Sequence, residues 1–179
     1  MSKRKQNPTW VDLKRQLTGL DQAALLSLIQ DLYAASKSNQ TFLHARFDLG
    51  ADVLKPYKAI IERWVCPDVM RNQGISVAKA KKAIADYKKA IGSPQGMAEL
   101  SVYYCECCMH FLGYCGMFMF ERALKAVALL EPKQQTRFLV RLKRVRNESH
   151  HWAWGLNEDM DPLMAEYAPD ASCQSKVSE

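Results

Sequence analysis

Cys105-Glu106-Cys107-Cys108-Met109-His110, with Cys115 close behind, is the densest run of metal-ligating and nucleophilic side chains in this 179-residue chain. Thiolates and imidazoles are zinc ligands, and a carboxylate beside an imidazole is the usual equipment of acid–base chemistry. Spacing decides against a shared ion. At about 100° per helical residue, Cys105 and Cys107 point to nearly opposite sides, and three diverging thiols do not close one tetrahedral site. Cys107 instead joins Leu100, Tyr104 and Phe111 on an apolar stripe, where a thiol behaves as a small hydrophobe. Neither a metal nor a cofactor is expected.

The same segment carries a polar flank. Glu99, Tyr103, Glu106 and His110 follow i, i+4, i+7, i+11, an arrangement able to bind a metal or move a proton. Glu106 and His110 are four apart, however, and carboxylate-bridged di-iron bundles space Glu and His by three. Such i, i+4 pairs also arise from ordinary helix stabilisation. A metal-dependent enzyme built on Glu106 and His110 is therefore the third-ranked reading. No glycine-rich dinucleotide loop, phosphate loop, Gly-x-Ser-x-Gly or His-Glu-x-x-His occurs, and no catalytic residue is assigned.

Cationic residues form the other candidate site. Lys133, Arg137, Arg141 and Arg144 fall within about 80° of one another on a helix, and no acid interrupts residues 132–147. Lys79, Lys82 and Lys89 lie off the apolar stripe of an earlier helix. Residues 1–92 hold 16 basic and 8 acidic residues against 9 and 11 in the remainder, within a net charge of +6. Such a stripe holds phosphates by releasing counterions, or it receives the acidic residues that follow it, Glu158, Asp159, Asp161 and Glu166. His150-His151-Trp152-Ala153-Trp154-Gly155 is an aromatic segment that either stacks on a ligand or folds over the end of a helix bundle.

These side chains need helices to position them, and helical spacing runs through nearly the whole chain with no strand-like alternation. Thr9 precedes a short helix ending at Thr18-Gly19, and Asp21 caps one with Leu25, Leu28, Ile29, Leu32 and Tyr33 on its apolar side. Ser38 or Asn39 opens a third. Asp52 opens a fourth, with Pro56 in its first turn and Pro67 at its end. Residues 66–75 form the longest irregular connection. Ser76 caps a helix carrying Val77, Ala80, Ile84, Tyr87 and Ile91, stopped by Gly92. Ser93-Pro94 opens a helix to about Leu112, Gly113 and Gly116 bracket a turn, and Met117 begins its antiparallel partner. Pro132 starts a helix burying Phe138, Leu139, Leu142 and Val145. Asp161-Pro162 repeats the cap-plus-proline signal ahead of Leu163 and Tyr167. The expected fold is all-α: about nine short to medium helices in a compact array of antiparallel hairpins, without a sheet. A basic arm (1–8), one helical domain (9–169) and a polar tail (170–179) complete the expected organisation.

Read together, the Leu25–Tyr33 run, Ser76-Val-Ala-Lys-Ala-Lys-Lys-Ala-Ile-Ala-Asp-Tyr and Glu99-Leu-Ser-Val-Tyr-Tyr-Cys-Glu106 resemble a small all-helical bacterial family catalogued as a domain of unknown function. Trp154-Gly155-Leu156 and Asp161-Pro-Leu-Met-Ala-Glu-Tyr167 extend the likeness. The resemblance implies an all-helical bacterial fold and brings no activity, cofactor or catalytic residue with it. The thiols crowding the segment after Tyr104, and His150-His151, depart from that pattern.

The longest run without Asp, Glu, Lys or Arg in the core region is the fourteen residues Cys107–Phe120, short of the roughly twenty that a membrane span needs. The N-terminal residues Met1–Pro8 lack the apolar run of a secretory signal, and six cysteines in that setting imply free thiols and a cytoplasmic location, with no membrane partner. The first-ranked function is a non-enzymatic interaction module for another protein or peptide. Met117, Phe118, Met119 and Phe120 exceed what one helix face can bury, so Phe118 or Met119 is expected to stay partly exposed or to meet a second subunit. Nucleic-acid binding through the lysine- and arginine-rich helices is the alternative.

Overall fold

A computed structural model describes residues 8–113, 115–149 and 156–167. Among them the secondary structure is helical throughout, with no strand: α1 (Trp10–Thr18), α2 (Gln22–Ala35), α3 (Lys37–Arg46), α4 (Lys55–Val65), α5 (Val77–Ala90), α6 (Pro94–Leu112), α7 (Met117–Ala128), α8 (Pro132–Ser149) and α9 (Leu156–Tyr167), with a short 3-10 turn at Val69–Arg71. The all-α class read from helical spacing is what the chain adopts. Among the described residues, no helix is long and apolar enough to cross a membrane. The backbone divides into two units, residues 1–43 and 44–179.

In the second unit α6 is the axis. Ser93 turns the chain into it, its Oγ accepting from the Gly96 amide at 3.2 Å, and Pro94 follows at the first helical position, where a missing amide costs little. Gly113 ends it at φ 67°, a left-handed conformation that glycine adopts without strain. Between these caps ten side chains or glycines are buried, from Gly96 to Met109, on almost every side of the helix. A helix that is apolar most of the way round belongs in the middle of a bundle. Accordingly α4, α5, α7 and α8 all pack on α6, and α9 packs on α7 and α8.

The neighbours contribute the large side chains that fill the layer around it: Tyr57 and Ile61 from α4, Ile84 and Tyr87 from α5, Phe120 and Leu124 from α7, Phe138 and Leu142 from α8, Met160 from α9. Each fully buried side chain of this size contributes about 1.5–3 kcal/mol relative to exposure. One approach is so close that only glycine fits. A Cβ on Gly96 would collide with the Tyr87 phenol, whose oxygen hydrogen-bonds Ser93 Oγ at 2.9 Å. The same serine therefore caps α6 and anchors α5.

In the first unit, α1 begins at Thr9, whose backbone N–H and hydroxyl both donate to Asp12, at 2.9 and 2.7 Å. Asp21 caps α2 by accepting from the Ala24 amide at 2.7 Å. The C-terminal carbonyls of α2 are capped by α3: Asn39 Nδ2 donates to Leu32 O at 2.6 Å and Gln40 Nε2 to Tyr33 O at 3.2 Å. Neither α1 nor α2 buries a single residue.

Three boundaries differ from the spacing-based expectation. α3 starts at Lys37, because Ser36 rather than Ser38 or Asn39 is the cap and accepts from the Asn39 amide at 3.1 Å. α4 starts at Lys55; Asp52 closes a turn before it by accepting from the Leu54 and Lys55 amides. Asp161-Pro162 does not open a helix but lies inside α9. Proline there gives up one amide hydrogen bond, and Met160 and Met164, both buried, hold the helix through it. The sequence positions 1–7, 150–155 and 168–179 lie outside the described residues, and with them the expected basic arm and tail and the segment His150-His151-Trp152-Ala153-Trp154-Gly155.

Candidate functional site

The two patterns singled out by spacing, the polar flank of α6 and the arginine stripe of α8, face each other. Because α8 buries Phe138, Leu142 and Val145 against its neighbours, Arg141 is carried to the seam with α6. Its Nε donates to Glu106 Oε1 at 2.8 Å and its Nη2 to Glu106 Oε2 at 2.6 Å, while Nη1 reaches Glu99 Oε2 at 2.7 Å. The other oxygen of Glu99 accepts from Lys58 of α4 at 2.6 Å. Arg144 adds a longer contact of 3.4 Å to Glu106. Two carboxylates on one helix thus tie α4 and α8 to α6, with the side chains of Glu99, Glu106 and Arg141 mostly shielded from solvent.

Charge pairing sets the protonation of this cluster. Burial pushes Glu99 upward, but its hydrogen bonds to Arg141 and Lys58 outweigh that and hold the carboxyl below its ordinary value. Hydrogen bonding to Glu106 and Glu99 raises Arg141 further above its already high value. Tyr103, between the two glutamates in sequence, donates to Glu62 at 3.3 Å and lies under the Lys58 ammonium, 5.2 Å from ring centroid to nitrogen. Burial drives its phenol well above the ordinary range.

This geometry bears on the enzyme reading. All four carboxylate oxygens of Glu99 and Glu106 accept hydrogen bonds from cations, which holds both groups ionised and in place between the helices. His110 is exposed, and among the described residues nothing joins it to Glu106. It lines an open groove of about 780 Å³ with Met109, Val140, Lys143, Arg144 and Asn147. Among the described residues no group of three or more His, Cys, Asp or Glu side chains is placed to hold a metal ion.

The thiols are buried. Cys105, Cys107, Cys108 and Cys115 are all part of the core, so burial extends beyond the single stripe on which spacing places Cys107. Cys105 is pushed well above the ordinary thiol range by its hydrogen bond to Cys115 and by burial. Burial raises Cys107 to about 11 and Cys108 to about 12. Neutral, enclosed thiols are poor nucleophiles.

The remaining candidate cations divide. Lys133 and Arg137 are exposed and form no ion pair among the described residues; Arg137 lies over the Phe138 ring at 4.5 Å. Lys79 stacks on Trp64 at 3.8 Å, Lys82 pairs with Asp86 at 2.6 Å, and Lys89 is exposed. The lysines of α5 and the arginines of α8 sit on helices that each pack on α6 without an extensive contact between them. Among the described residues, Arg141 and Arg144 of the α8 stripe pair with Glu99 and Glu106 of α6, and Arg144 also with Glu148 on its own helix. Arg146, outside the stripe, meets Asp161 of α9 at 2.6 Å.

A different surface stands out in the first unit. α2 contains ten apolar residues in fourteen and one charge, a composition that normally goes with burial, yet Leu26 is 60%, Ile29 46% and Leu32 51% exposed. Those three fall within about 120° of the helix circumference and form one ridge. On α1, Trp10 is 66% and Leu13 50% exposed. Spacing identified Ile29 and Leu32 as an apolar side but assigned it no role; the count of apolar residues all round α2 was the available signal. Phe118, expected to stay partly exposed, is 65% exposed beneath Lys81, while Met119 is buried. The chain matches no protein-family model, no curated protein and no solved structure.

Proposed function

We propose that this chain is a protein-binding module without catalytic activity, and that it engages its partner through the apolar side of α1 and α2. The observation that carries the reading is the ridge Leu26–Ile29–Leu32 on a helix that buries none of its own residues. A fourteen-residue helix is marginal in water on propensity alone, and its stability ordinarily comes from packing an apolar face. Exposed apolar patches of this kind are characteristic of interaction surfaces. The nucleic-acid reading is weaker, because Arg141, Arg144 and Lys82 already have carboxylate partners and contribute less to counterion release.

The test is a photo-crosslinking residue introduced at Ile29 in the producing cell, with Lys133 as the control position. A polypeptide adduct of defined mass at Ile29 and none at Lys133 is the expected result. Absence of any polypeptide adduct at Ile29, or salt-sensitive nucleic-acid binding abolished by Lys133→Ala with Arg137→Ala, would contradict it.

A further inference from the structure

We infer that Cys66 and Cys107 are a redox-active pair, which a low-molecular-weight disulfide oxidises to one protein disulfide that staples α4 to α6. The placement comes from a ladder between the two helices. Lys58 Nζ donates to Glu99 at 2.6 Å and the Tyr103 hydroxyl to Glu62 at 3.3 Å, and each contact joins residues 41 apart in sequence. Lys58, Glu62 and Cys66 follow i, i+4, i+8 on one side, and Glu99, Tyr103 and Cys107 do the same on the other. At the same offset, the next rung sets Cys66 against Cys107. Rows of this spacing lie alongside each other in the commonest class of helix packing, and α4 is one of the helices that pack on α6.

Two local features keep that rung in place. Cys66 stands just past the end of α4, but its amide still donates to Glu62 O at 2.8 Å, so it keeps the helical position one turn beyond Glu62. On α6 the Tyr103 phenol bonds Cys107 as well as Glu62, which joins the second rung to the third. Burial is the main influence on the Cys107 thiol, and Glu62, Cys66 and Glu106 add to it through space, so the Cys66 sulfur is within electrostatic reach.

Exposure divides the roles. Cys66 is partly exposed and Cys107 is buried, so the reagent enters at Cys66 alone. The Cys66 thiolate attacks one sulfur of the reagent, forming a mixed disulfide and releasing one thiolate. Cys107 gives its proton to solvent, attacks the Cys66 sulfur and expels the second thiolate. Two electrons pass from the protein to the reagent, whose halves leave as two thiols carrying the two protons. The second step is the slow one, because Cys107 is held at about 11, and Cys107 meets only the sulfur of Cys66, never the reagent itself. Cys105 and Cys115 are also in contact, but both are buried and neither admits the reagent. Once formed, the link restricts the unfolded chain and stabilises the fold.

The test treats the full chain carrying Cys173→Ser with oxidised glutathione at about pH 8, blocks the remaining thiols and maps the peptides by mass spectrometry. The expected product has lost two hydrogens, carries no glutathione and contains a Cys66–Cys107 link. Its helical circular-dichroism spectrum is unchanged, and its melting temperature is raised until dithiothreitol reverses it. Cys107→Ala accumulates at least tenfold more glutathione on Cys66, and Cys66→Ser takes up none. Glutathione that stays on Cys66 while Cys107 is present overturns the inference, as does a Cys66 that does not react. A disulfide mapped to any other pair, or a link that forms only with loss of helical signal, overturns it equally.

Discussion

Arg141 of α8 grips Glu106 of α6 with two parallel hydrogen bonds, 2.8 and 2.6 Å, and spends its third nitrogen on Glu99 at 2.7 Å. The planar guanidinium matches a carboxylate in a way an ammonium does not. The pairing converts two patterns that each resemble a functional site into one structural brace.

Arg141→Met is expected to lower unfolding free energy by about 2–4 kcal/mol, because it leaves two shielded carboxylates facing each other without their shared cation. Arg141→Lys recovers part of that, since one ammonium cannot replace the fork. Urea denaturation measures both; equal stability of all three proteins would contradict the brace.

Acid should weaken the same brace through Glu99. Its folded-state carboxyl lies below the ordinary value, so the stabilisation is fully present above the unfolded-state pKa and is lost as pH falls through the folded one. Stability measured from pH 6 downward is expected to decline below about pH 4.5. Glu99→Gln lowers stability at neutral pH and makes that decline shallower; an unchanged slope would contradict the assignment.

Thiol accessibility follows burial. In a Cys173→Ser background, Cys66, which is only partly buried, is expected to react first with an aromatic disulfide reagent at neutral pH. Cys105, Cys107, Cys108 and Cys115 react only as the protein unfolds. Rapid labelling of more than one thiol in the folded protein would contradict the packing described.

Gly96→Ala is expected to destabilise by about 3 kcal/mol, at the upper end of what overpacking costs, because the added Cβ meets the Tyr87 phenol rather than open space. Pairing it with Tyr87→Ala restores room and recovers part of the loss, in a comparison of melting temperatures. A neutral Gly96→Ala would mean that α5 and α6 approach less closely.

Most helices were legible because their ends are written in local chemistry. Ser76, Ser93-Pro94, Gly92 and Gly113 cap or stop α5 and α6 at the positions their types imply. Asp161-Pro162 misled for the same reason: a local start signal is overridden when Met160 and Met164 bury on either side of it. The charge brace was legible only in halves. Helical spacing placed Glu99 with Glu106 and Arg141 with Arg144, but which helix faces which is fixed by packing on α6, more than thirty residues away in sequence. The apolar ridge of α2 was legible as a face and not as an exposed one, because periodicity records where apolar residues are and not what covers them.

Hydrogen exchange across residues 10–35 of the purified chain tests the interaction surface most directly. The account predicts amides of α1 and α2 that exchange quickly in the absence of a partner, while those of α6 stay protected. Protection of α1 and α2 as strong as that of α6 would show the ridge to be covered within a single chain, and would contradict it.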